Sequence, residues 1–162
     1  MKKSFAVWIA LFASAAGWAQ VNPRGAASLE GAKVTIEYGR PSAKGRDVFS
    51  MIQPGSYWRM GADNATKLKT EVPLLIGGSR VEKGEYTLVG QFASPEEFEL
   101  IVAKAMGENE PTDVAARVKG EISKGHDPVE EMTIALEGKA SDAAIVLSWA
   151  GSRIRMPFKI AS

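Results

Sequence analysis

From Lys33 to Tyr38 the chain alternates, with Val34, Ile36 and Tyr38 on one side and Thr35 and Glu37 on the other. Successive strand residues face opposite ways, so this pattern predicts a strand with one buried face. Thr66 to Thr70 alternates about Leu68. Leu74-Leu75-Ile76 is a short apolar run before the turn pair Gly77-Gly78, and Arg80 to Lys83 reads as a short return strand. Tyr86 begins a strand towards Phe92, closed by Ser94-Pro95-Glu96. Stripes follow at Phe98, Leu100 and Val102, at Met132, Ile134 and Leu136, and at Ile145, Leu147 and Trp149. Ala150-Gly151-Ser152 reads as a tight turn. Ile154, Met156 and Phe158 carry a last strand, which Pro157 assigns to a sheet edge because proline lacks the N–H a ladder needs. Strands recurring about every ten residues, each closed by a turn signal, predict an antiparallel β-sandwich of jelly-roll type. Helix signals are slight. Asp47 to Ile52 has room for one helical turn, and Glu108 to Arg117 reads as a loop or short helix because Pro111-Thr112-Asp113 resembles a helix start.

The N-terminus departs from this cadence. Lys2 and Lys3 precede an almost wholly apolar run from Phe5 to Ala16, and Gly17-Trp18-Ala19 sets small residues before a cut. That layout predicts a secretory signal peptide over 1–19, with a single β-sandwich domain over 20–162. The apolar run is about a dozen residues, against roughly twenty for a bilayer span. The expected product is a soluble protein of a Gram-negative periplasm or exterior, with no membrane insertion.

Composition narrows the chemistry. The 20 basic and 19 acidic residues nearly cancel, which leaves no electrostatic footprint for nucleic acid. With no cysteine, an exported domain rests on its own core rather than on disulfides, and thiol catalysis and zinc–cysteine sites are excluded. One histidine, His126, removes a two-histidine metal site within one copy. No cofactor is called for, and oligomeric state is left open.

One stretch differs from routine strand and turn. It reads Tyr38-Gly39-Arg40-Pro41-Ser42-Ala43-Lys44-Gly45-Arg46, then Tyr57-Trp58-Arg59-Met60-Gly61-Ala62-Asp63-Asn64-Ala65-Thr66. Arginine offers a planar fork that grips carboxylate or phosphate in two places, and tryptophan a flat face for a sugar or cation. Arg40, Lys44, Arg46, Trp58, Arg59, Asp63 and Asn64 are therefore the candidate ligand-binding residues. The alternative is structural: arginines held by Asp47 or Asp63 pin a long loop, and Trp58 is core. These two segments resemble the signature of domain-of-unknown-function family 2911, a set of exported bacterial proteins. Lys83-Gly84-Glu85-Tyr86-Thr87-Leu88 and the ending from Leu147 to Phe158 resemble that family's hairpin and final strands. The resemblance runs from about Gly25 to Ile160 and implies a compact β-rich domain and no activity.

Other chemistry finds little support. Glu96-Glu97 and Glu130-Glu131 are adjacent, so on a strand they face apart, whereas a glycosidase needs two carboxyls facing across one bond. His126 beside Asp127 is half of a candidate acid-base pair, but in a turn-like setting it reads as an exposed histidine, since a base also needs a positioned partner. Ser42, Ser50 and Ser56 lack a nucleophile elbow. Gly77-Gly78 opens no helix, which argues against a phosphate loop. The expected function is a non-catalytic module for a small polar or anionic ligand, a sugar or carboxylate. The alternatives are a structural or interaction protein and a hydrolase using Asp63 or a distant carboxylate.

Overall fold

The computed structural model describes residues 22–162; the expected signal peptide lies outside them. The strands are β1 (Arg24–Ser28), β2 (Val34–Gly39), β3 (Tyr57–Trp58), β4 (Thr66–Thr70), β5 (Leu74–Ile76), β6 (Ser79–Val81), β7 (Gly84–Ser94), β8 (Glu97–Met106), β9 (Pro111–Lys139) and β10 (Asp142–Ile160). All pairings are antiparallel, in the order β1-β2-β4-β7-β8-β9-β10-β5-β6, with β3 added to β7. The protein is all-β, as the alternation predicts, and the described residues contain no helix, hence none long enough to cross a membrane.

The alternating residues build the core. Val34, Ile36 and Tyr38 of β2, Leu68 of β4, Leu88 of β7, and Leu100 and Val102 of β8 are all buried in it. Ile145 and Leu147 of β10 belong to the same core. Thr66 is also buried, and its hydroxyl donates to the Met60 carbonyl at 2.9 Å, so the polar group is satisfied.

β9 organises the rest. Its first part, 111–120, pairs with β8, and 121–139 pairs with β10. The β9–β10 ladder is uneven: 125–128 of β9 stand opposite Gly151 alone, and 130–132 opposite Trp149 alone. Such bulges bend a strand and turn backbone groups out of the ladder. The second one presents Glu130 and Met132 to the segment after β2. There Ala43 N–H donates to the Glu130 carbonyl at 2.8 Å, and Met132 N–H to the Pro41 carbonyl at 3.0 Å. The Tyr38 hydroxyl donates to the Ile134 carbonyl at 3.3 Å. The sheet therefore curls until the β2 end reaches far along β9.

Three local expectations are corrected. Ala150-Gly151-Ser152 is not a turn but lies within β10, where Ala150 takes φ 50° between two register shifts. The segment from Pro111 is strand, not helix. Pro157 is not on an edge strand, since β10 lies between β9 and β5. Its missing N–H falls between the last β9 pairing, at Arg155, and the first β5 pairing, at Lys159.

Candidate functional site

The arginine-rich segment begins where β2 ends. Gly39 is there because of proximity: a Cβ on it would run into the Ala62 carbonyl, whose residue also donates its N–H to the Gly39 carbonyl at 3.3 Å. The two halves of the motif thus touch through bare backbone. Arg40 then reaches across to β9. Its Nε donates to the Met132 carbonyl at 3.2 Å, one terminal nitrogen to the Thr133 hydroxyl at 3.0 Å, and the other pairs with Glu131 at 3.2 Å. This guanidinium is fully engaged in joining β2 to the β9 bulge.

Arg46 closes its own loop. Nε donates to the Ala43 carbonyl and a terminal nitrogen to the Ser42 carbonyl, both at 2.9 Å. The expected partner Asp47 is not involved; its carbonyl instead accepts from the Ser50 hydroxyl at 2.8 Å. Lys44 takes φ 51° at the loop tip, and its backbone N–H donates to the Glu130 carboxylate at 2.9 Å. Lys44 and Arg46 border a hollow of ≈ 600 Å³, with Glu131 on the same rim.

Trp58 is half-buried within an aromatic cluster. It stacks on Trp149 at 6.3 Å between ring centroids with planes 6° apart, and Phe49 meets its edge at 5.9 Å. Phe92 is packed against both Phe49 and Trp58. The Trp149 indole N–H donates to the Glu130 carbonyl at 3.3 Å. These rings tie the loop before β3 to β10 through the core.

The loop after β3 is different. Met60 is buried at φ 54° and Asp63 has φ 64°, conformations that cost a residue with a side chain on the order of 1 kcal/mol or more. Arg59 is exposed, and among the described residues its side chain is held only by a 3.5 Å contact from a terminal nitrogen to the Asp63 carbonyl. The Asp63 carboxylate accepts from the Asn22 backbone N–H at 3.1 Å and from its amide at 3.5 Å. Arg59, Asp63 and Asn64 border a second hollow of ≈ 340 Å³, which also includes Lys67 of β4 and Thr87 of β7. Lys67 donates to the Thr87 hydroxyl at 2.9 Å. Among the described residues neither Arg59 nor Lys67 has a carboxylate within ion-pair reach.

The seven residues therefore do not converge on one pocket. Lys44 and Arg46 share one hollow, Arg59, Asp63 and Asn64 another, and Arg40 and Trp58 are built into the packing. Sequence reasoning passed over Lys67 and Thr87. Their signal was present, since both fall at outward positions of neighbouring strands and are register partners. Among the described residues no group of three or more His, Cys, Asp or Glu side chains is placed to hold a metal ion.

Residues 23–158 match the family model described as Protein of unknown function (DUF2911). The chain belongs to this family. No curated protein and no solved structure matches it. In this DUF2911 domain, the two segments that carried the resemblance are the ones Gly39 and Ala62 bring into backbone contact. The first closes onto β9, while the second bends over the outer face of β4 and β7.

Proposed function

We propose that this protein is an exported, non-catalytic module that binds a small anionic ligand between the Arg59–Asn64 loop and the strands carrying Lys67 and Thr87. Export rests on the basic start, the apolar run from Phe5 to Ala16 and the small residues before the cut after Ala19. One observation carries the binding reading. Arg59 and Lys67 border the same hollow, and no described carboxylate lies within ion-pair distance of either. Two cations on one rim repel one another beyond what the single Asp63 carboxylate there offsets, and an anion between them relieves that. Asn64 adds an amide to the same rim. The hydrolase alternative has less support, because the Asp63 carboxylate is already engaged by Asn22.

A second reading, an interaction protein in which the motif only pins loops, is favoured by the caps on Arg40 and Arg46. The two readings part at Arg59. A ligand that binds the native state raises the melting temperature. Screening the purified mature chain against small anions should find stabilisers whose effect disappears in Arg59→Ala while its own melting temperature stays near wild type. Stabilisation that persists in Arg59→Ala, or in no case appears, removes the binding reading and leaves the interaction protein.

A further inference from the structure

The hollow beneath Arg59 also carries information about the class of ligand it accepts, an inference that rests on the binding reading above. Arg59 and Lys67 bring two positive charges and Asp63 one negative charge to its rim. That balance leaves one unit of positive charge, suited to a monoanion rather than a phosphate or a tricarboxylate. The donors suit a carboxylate as well. Arg59 offers a planar fork, and Lys67 keeps further ammonium protons after donating to Thr87. Thr87 is only 2% exposed, and its oxygen already accepts from Lys67, so its own proton remains to be donated.

The lining is mostly polar, with one apolar part. Ala105 and Met106 form that part, and Met106 packs on a small cluster of Val89, Ile101 and Ala103 on the outer face of β7 and β8. That cluster is separate from the main core and is fully buried. A ligand holding its charge against Arg59 would lay its body on Ala105 and Met106. The volume, ≈ 340 Å³, is at the small end for a ligand site. A sugar fits less well, because among the described residues no aromatic ring lines this hollow for it to stack on. The other cationic hollow, beside Lys44 and Arg46, differs in its arginine, which is directed to the Ala43 and Ser42 carbonyls.

We propose that the hollow selects a small monocarboxylate carrying a short apolar body, held by Arg59, Lys67 and Thr87 at its head and by Met106 along its tail. Titration calorimetry on the purified mature chain tests this with acetate, butyrate, 4-methylpentanoate, the methyl ester of the last, inorganic phosphate and citrate. Affinity should rise about threefold to fourfold per buried methylene along the acid series. The ester should not bind. Arg59→Ala should weaken every acid at least tenfold, and Met106→Ser should remove the gain from the tail. Thr87→Val, which keeps size and fold, should weaken the acids without affecting the tail gain. Phosphate or citrate binding in an Arg59-dependent way, with no gain from the tail, overturns the ligand class but keeps the site. If no anion shows any dependence on Arg59, both the class and the site fall.

Discussion

Gly39 and Gly45 stand in the same motif and answer to different physics. At Gly39 the space is missing, because the Ala62 carbonyl occupies the place of a Cβ. At Gly45 the space is open, but φ is 70°. Gly45→Ala should therefore cost about 1 kcal/mol, the strain of a left-handed backbone alone. Gly39→Ala must push two backbone segments apart and should cost about 3 kcal/mol or more. Urea unfolding of both variants checks the order, and equal losses would contradict the close approach. Trp58 makes a parallel case. Its ring lies among Phe49, Phe92 and Trp149, so Trp58→Ala should cost about 3–5 kcal/mol. A stability loss below about 1 kcal/mol would instead mean a surface-type tryptophan.

At the scale of elements, the alternating segments were readable because a strand with one wet face writes its period of two into the sequence. β4 and β5 begin and end where alternation, turn residues and glycines say they should. β9 and β10 were not readable as single long strands. Their bulges carry residues that look like turns, namely Gly125-His126-Asp127-Pro128 and Ala150-Gly151-Ser152. Local composition cannot distinguish a chain that reverses from one that bulges, because both need glycine, proline or a positive φ; pairing across the ladder decides. The candidate site was half legible for the same reason. Arginine and tryptophan were visible as types, but whether each guanidinium meets a carbonyl or an open hollow depends on β9, far along the chain. Hydrogen exchange tests this account of β9. Ladder-bonded amides within 112–120, paired with β8, and within 133–139, paired with β10, should be protected, while 125–127 should exchange far faster. Uniform protection from 112 to 139 would mean that the bulge opposite Gly151 is absent.

At the scale of the molecule, no disulfide holds the chain, since it contains no cysteine. The curled sheet is joined instead where 40–43 meets the second β9 bulge, through backbone bonds and the Arg40 side chain. Arg40 is only partly exposed and has three kinds of partner, unlike the isolated surface pairs such as Lys33–Glu71, which contribute about 0–1 kcal/mol. Hydrogen bonds to a charged group contribute about 1.5–3 kcal/mol in net terms. Lysine has no planar fork to replace them, so Arg40→Lys should recover little. Labour is divided within one motif, with Arg40 closing the fold and Arg59 left to the hollow. Equilibrium urea unfolding of Arg40→Ala and Arg59→Ala, measured together, tests that division most directly. Arg40→Ala should lose about 2–3 kcal/mol, and Arg59→Ala should stay within about 0.5 kcal/mol of wild type. Equal losses in the two variants, or a neutral Arg40→Ala, would contradict it.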